Sequence, residues 1–293
     1  MNKYLISILG PTAIGKTKLA INLAEKYSTE IISADSRQFY KELNIGAAKP
    51  SNNDLNRVKH HLINNKSVID NYSIGEFERD AIKNITKIHK KADIAILVGG
   101  SGLYLDVINY GLDQIPKSDE NIRDFLNNEF KLKGLNHIQN ELKEKDLISF
   151  NSIDLNNPRR IIRALEVTIS NGKPYSSFLK KKNNKRNFKT IEIGLKDDRE
   201  LIYNRINNRV DKMIANGLVN EVNDLVQHKE LNSLNTIGYK EVFDYLEGKS
   251  DLDNAINEIK KNTRRYAKRQ MTWFNSNNNI IWFKVNYKIE DII

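Results

Sequence analysis

The eight residues Gly10-Pro11-Thr12-Ala13-Ile14-Gly15-Lys16-Thr17 constrain this chain more than any other feature. They follow the apolar run at 5–9, precede the helix-like segment KLAINLAEKY, and fit the pattern G-x-x-x-x-G-K-[ST]. In such a loop, glycines let successive backbone N–H groups turn toward a polyphosphate, and Lys16 adds a mobile positive charge. Thr17 offers a hydroxyl to a divalent cation, and the positive end of the following helix points at the same anion. The loop needs a strand on one side and a helix on the other. Residues 1–110 supply that alternation throughout, so the expected fold class is α/β: a parallel sheet of the P-loop NTPase kind flanked by helices.

A phosphate loop names a ligand group and not a reaction. In phosphate-loop ATPases and GTPases, an Asp commonly ends a second strand and helps to hold magnesium. Here the apolar run 94–98 ends in Gly99-Gly100-Ser101-Gly102 without an acid, and Asp93 precedes it. Hydrolysis is therefore the weaker reading. An acid stands elsewhere, after the strand-like TEIIS of 29–33, in Ala34-Asp35-Ser36-Arg37-Gln38-Phe39-Tyr40. Functional groups of an α/β sheet gather at the carboxyl ends of strands. Asp35 there would ligate a metal, act as general base or cap a helix, and the local residues leave these roles open. Ser36, Arg37 and Gln38 suit a base edge or a phosphate.

Charge points to a polyanionic partner. Lys and Arg number 47 against 37 Asp and Glu, a net +10, although a chain rich in Lys, Asn and Ile also raises this sum by composition alone. Placement is more telling. Lys180 to Lys189 carries six basic residues and no acid, and Glu258 to Trp273 carries six against one. There is no cysteine, which excludes disulfides and thiolate metal sites. Adjacent His60 and His61 do not share a face, so a loop role near the site is expected in preference to zinc. Nothing reads as a signal segment or a transmembrane stretch, and a cytoplasmic protein is expected.

From about Asp113 the texture becomes helical. Ser118 and Asp119 start one amphipathic segment. Asn157-Pro158 opens another, in which Ile161, Leu165 and Ile169 make an apolar face and Gly172 a C-cap. KTIEIGL, residues 189–195, reads as a strand returning to the sheet. The expected domains are an α/β core at 1–113, an all-helical insertion at 114–189, and a second part of the core at 190–293 with basic C-terminal helices. In that second part, Arg205 and Arg209 stand four apart on one helix face, so that one can reach a phosphate while the other pairs with an acid. The helix Thr263–Phe274 aligns Arg265 with Arg269 and Arg264 with Lys268, as an RNA-facing or a solvated helix would.

Taken together, GPTAIGKT at 10–17, SADSRQFY at 33–40, GAAKP at 46–50, HHL at 60–62, VGGSGLY at 98–104, NPRRIIRALEV at 157–167, IGYKE at 237–241 and TRRYAKRQMTWF at 263–274 carry a resemblance almost end to end. The chain resembles the bacterial tRNA dimethylallyltransferases, also called tRNA isopentenyltransferases. Ser101 stands where the family usually has Thr, and Ala47 where Thr is common. Some eukaryotic relatives append a Cys/His zinc finger, and the absence of cysteine argues against one here.

The resemblance implies transfer of a dimethylallyl group from dimethylallyl diphosphate to N6 of the adenosine 3′ to the tRNA anticodon. It implies diphosphate held by Gly10, Pro11, Thr12, Ala13, Ile14, Gly15, Lys16 and Thr17. Asp35 would be the general base, with Ser101, Thr17 and Arg209 in the catalytic set and Mg2+ near Thr17. By the same resemblance Asp35, Ser36, Arg37, Gln38 and Ser101 contact the adenosine, while Arg123 and the run Arg159, Arg160, Ile161, Ile162 and Arg163 reach tRNA. The Lys180–Lys189 run would track stem phosphates, and a monomer is expected. Two rivals remain at this point. A phosphate-loop kinase for a small metabolite or nucleoside would consume ATP, and an RNA-binding module would use a nucleotide as a switch.

Overall fold

Short runs, mostly apolar except for the His60-His61 pair and the Lys ends, become the strands β1 (Tyr4–Leu9), β2 (Ile31–Ser33), β3 (His60–His61), β4 (Ile94–Val98), β5 (Lys189–Lys196) and β6 (Ile281–Lys284). They pair in the order β3-β2-β4-β1-β5-β6, every pairing parallel. This is a computed structural model that describes residues 2–179 and 186–288 together with Glu290 and Ile292. Six of the ten residues in the Lys180–Lys189 run, 180–185, lie outside them. Central strands of a parallel sheet are covered on both faces and so read as unbroken apolar runs. Leu5, Ile8, Ala95, Ile96 and Leu97 are accordingly fully buried.

The chain divides into two compact units, Met1–Asn109 with Arg186–Ile293, and Tyr110–Lys185. Both boundaries fall a few residues before the expected ones. Arg186 begins the return to the first unit, where its guanidinium donates to the carbonyls of Val107 and Ile108.

In the first unit, α1 (Lys16–Lys26) packs Leu19, Ile21 and Leu23 into the core. Next come α2 (Asn52–Arg57) and α3 (Ile74–His89), each started by a reciprocal capping pair, Ser51 with Asp54 and Ser73 with Glu76. α4 (Gly102–Tyr110) leaves the end of β4. The His60-His61 pair departs from expectation. It is not a loop but the short edge strand β3, paired with Ile31 and Ile32, with the His61 Nε2 at 2.5 Å from the Glu30 carboxylate.

The second unit is helical: α5 (Glu120–Lys133), α6 (Leu135–Lys145), α7 (Leu147–Ser152) and α8 (Pro158–Asn171). Asp119 caps α5, Asn157 caps α8 ahead of Pro158, and Gly172 ends α8 in the left-handed region at φ 64°. Leu126, Ile138, Leu142, Ile161, Ile162 and Leu165 form its core. The first unit then resumes with α9 (Arg199–Ala215), α10 (Leu218–Asn223), α11 (Tyr239–Leu246) and α12 (Leu252–Phe274). Among the described residues, no helix is long and apolar enough to cross a membrane.

Candidate active site

Parallel pairing brings the carboxyl ends of β1, β2 and β4 to one edge of the sheet, and three loops meet there. The first is the phosphate loop. Gly10, at φ 141°, leaves β1 so close to β5 that a Cβ would stand 2.6 Å from the Leu195 carbonyl oxygen, which only glycine tolerates. Gly15 caps α1, whose first N–H groups have no intrahelical acceptor and so present donors to an anion. Lys16 Nζ donates to the carbonyls of Gly10 at 2.9 Å and Pro11 at 2.8 Å. Burial, reinforced by Arg209 and opposed by the Asp35 charge, pulls this ammonium down to about 7.

Arg209 reaches the loop from α9 and donates to Thr12 Oγ1 at 3.0 Å; its burial lowers its pKa also. Arg205, one turn earlier, donates to the Ile14 carbonyl at 3.3 Å and lies 3.7 Å from Asp197. The two arginines thus share a face and divide, one toward the loop's Thr12 and the other toward an acid.

The second loop follows β2, where the Ala34 N–H donates to the Val98 carbonyl at 2.7 Å. Asp35 does not cap a helix. Its Oδ1 accepts the Arg37 N–H at 2.9 Å inside a run of turns, which fixes the carboxylate locally. Its charge acts on Lys16, Arg209, Tyr104 and Tyr266. Arg37 and Gln38, expected at the substrate, make contacts within the protein. Arg37 donates to the Ser233 carbonyl at 2.8 Å, and Gln38 accepts from Ser33 and donates to the Ala48 carbonyl at 3.3 Å.

The third loop follows β4. Ser101 Oγ accepts the Ser36 N–H at 3.3 Å and lies 3.4 Å from the Ser36 hydroxyl, so the second and third loops touch. Tyr266 of α12 hydrogen-bonds to Ser101, and burial raises its phenol. Trp273 packs against Gly102 and donates its indole N–H to Asp106 at 3.1 Å. A cleft of about 500 Å³ lined by Asp106, Lys268, Arg269 and Trp273 opens there.

Gln270 escaped the sequence reading. It is 5% exposed, accepts the Thr12 N–H at 2.9 Å and donates to the Gly100 carbonyl at 2.7 Å, joining the first loop to the third. The signal was present. Ile259, Ala267, Gln270 and Phe274 fall on the buried stripe of α12, and a polar residue on an apolar stripe has a polar task.

The helical unit divides the expected tRNA set by burial and pairing. Ile161 and Ile162 lie inside its core, because a helix that turns Arg159 and Arg160 outward sends the next two residues in. Arg123 and Arg163 both donate to Glu166, which is fully buried. Burial pushes that carboxyl up, but the two guanidinium groups hold it below the usual range. Arg159 and Arg160 are exposed.

Among the described residues, no three His, Asp or Glu side chains are grouped to hold a metal. The site therefore combines an anion cradle and two cations with a carboxylate among hydrogen-bonding side chains. It suits the departure of an anionic group from a substrate whose acceptor must lose a proton.

The family model described as IPP transferase matches residues 38–277. A tRNA dimethylallyltransferase of Christiangramia forsetii is 52% identical over 292 residues, covering 100% of this chain and 97% of that protein. A solved full-length tRNA isopentenylpyrophosphate transferase of Bacillus halodurans is 37% identical, with TM-score 0.72 over 99% of this chain and 94% of that one. A eukaryotic dimethylallyltransferase acting on tRNA, 28% identical, superposes with TM-score 0.83 over 97% of this chain and 74% of its own.

Proposed function

This chain belongs to the IPP transferase family, and from that premise we infer that it prenylates tRNA. It moves a dimethylallyl group from dimethylallyl diphosphate to N6 of the adenosine 3′ to the anticodon and releases diphosphate. On this reading the reaction is a cytoplasmic one. The observation that carries this reading is the meeting, at one sheet edge, of a phosphate loop braced by Lys16 and Arg209 with the Asp35 carboxylate.

The bond from C1 to the diphosphate oxygen breaks, the bond from N6 to C1 forms, and one N6 proton leaves. Lys16, Arg209 and the N–H groups at the start of α1 neutralise the charge that grows on the departing diphosphate. Asp35 accepts the N6 hydrogen bond and then its proton. An exocyclic amine is a poor nucleophile, because its lone pair is delocalised into the ring. Orientation by Ser36 and Ser101, together with proton removal, therefore carries much of the rate. The adenosine must leave the stack to be reached, and an anticodon loop makes that least costly.

Magnesium fits the site as an ion carried by the substrate. A hydroxyl from Thr17, with no group of three acids or histidines among the described residues, suits a cation that keeps most of its oxygen ligands on diphosphate and water. When bound, it would add positive charge against the leaving group. In the helical unit, Arg159 and Arg160 present exposed charge to tRNA phosphates.

The test is incubation with magnesium, labelled dimethylallyl diphosphate and unmodified tRNA, followed by nucleoside mass analysis. Prenylated adenosine beside the anticodon is expected. Phosphate moved from ATP to a small acceptor, with no prenyl transfer, would refute the reading. Asp35→Ala should lower turnover by roughly 10²–10⁴-fold and leave the tRNA dissociation constant nearly unchanged. Loss of tRNA binding would make Asp35 a recognition residue instead.

A further inference from the structure

We propose that Gln270 sets the length of polyphosphate the loop accepts, admitting a diphosphate and refusing a triphosphate. The identity of the donor rests on the prenyl-transfer reading above. Loops of this sequence pattern ordinarily cradle nucleoside triphosphates, and they do so with backbone N–H groups along their whole run. Here one of those groups is already engaged. The N–H of Thr12, third residue of the loop, donates to Gln270 Oε1 at 2.9 Å. The amide oxygen thus stands where a phosphoryl oxygen would be received.

The plug is rigid. Gln270 Nε2 donates to the Gly100 carbonyl at 2.7 Å, and the side chain sits almost wholly inside the fold on α12. A Cβ at Gly100 would lie 2.4 Å from that nitrogen and 3.5 Å from Lys16 Nζ, so the amide and the ammonium border the same point. Arg209 holds Thr12 a second time, through its hydroxyl. Protein groups therefore close the Thr12 end of the loop. The donors left to a ligand belong to the Ala13–Thr17 half, at the head of α1, with Lys16 and Arg209 flanking them. Two phosphoryl groups match that half; a third would have to displace the amide.

The test uses the full chain and calorimetric titration with inorganic diphosphate and with inorganic tripolyphosphate at equal free magnesium. Charge alone favours tripolyphosphate in a cationic cradle, so a preference for diphosphate runs against simple electrostatics. The wild type should bind diphosphate tighter by about tenfold or more. Gln270→Ala, shown to be folded by circular dichroism, should erase or invert that ratio, which a merely structural pin would not do. Equal or tighter tripolyphosphate binding by the wild type overturns the proposal, whether or not the variant folds. So does an unchanged ratio in folded Gln270→Ala. Diphosphate selectivity that Gln270→Ala abolishes, in a protein that transfers no prenyl group, would sustain the role of Gln270 and refute the transfer reading instead.

Discussion

Lys16 shows how much one side chain's surroundings decide. A lysine held at about 7 is half neutral near neutral pH, with burial the main cause and Arg209 the second. An anion beside it favours the ammonium, so binding must restore a proton wherever the unliganded group has lost one. Affinity for inorganic diphosphate, referred to one ionisation state of the ligand, should therefore fall as pH rises above about 7, approaching tenfold per pH unit. Over the same range, the calorimetric enthalpy should depend on the buffer's ionisation enthalpy. Lys16→Arg, charged at every accessible pH, should flatten the dependence; a wild-type affinity constant from pH 7 to 9 would contradict it. Folding is linked in the same window. Between pH 10.5 and about 7 the unfolded chain takes up a proton that folded Lys16 refuses, so stability from this group declines as pH falls and levels off below 7.

Among the elements, the segment 44–50 is the one that a distant helix builds. Glu221 of α10 accepts the N–H groups of Asn44, Ile45 and Gly46 at 3.2, 2.7 and 3.0 Å, and the Tyr239 hydroxyl at 2.6 Å. One carboxylate thereby shapes a wall of a cleft of about 630 Å³ that Lys49, Arg205, Arg209 and Lys212 also line. Glu221→Ala strands several donors and should cost roughly 2–4 kcal/mol, read as a lower urea midpoint. Glu221→Gln keeps an acceptor oxygen and should lose less; an Ala variant as stable as the wild type would remove Glu221 from this role. Such long-range bonds explain which parts of the site were legible in the sequence. The phosphate loop and Asp35 announce themselves because their chemistry is local in the chain, and the strands because burial on both faces leaves unbroken apolar runs. Gln270 meets Thr12 across 258 residues and Gly100 across 170, and no window of sequence spans such pairs. The bond from Arg37 to the Ser233 carbonyl is hidden for the same reason, since its acceptor lies 196 residues away. β3, two residues long, carries no periodicity to read.

For the molecule as a whole, a net charge of +10 says less than how each cation is employed. In the helical unit the arginines divide into two kinds. Arg123 and Arg163 neutralise a carboxylate that the fold has buried, so Arg123→Ala should lower stability, by roughly 1–3 kcal/mol. Arg159 and Arg160 stand exposed in the first turn of α8, where the helix dipole disfavours positive charge. Placement against the local field, with no buried anion to answer, would serve the proposed contact with a polyanion. Replacing both by Ala should leave the melting temperature near the wild-type value while raising the tRNA dissociation constant about tenfold at low salt. The slope of log Kd against log salt should fall by on the order of one for each phosphate no longer neutralised, because fewer counterions are released. A titration series from low to moderate salt separates the two kinds of arginine. Equal slopes for the double variant and the wild type would take Arg159 and Arg160 off the RNA surface, and would leave the excess charge to be sought on the exposed side of α12.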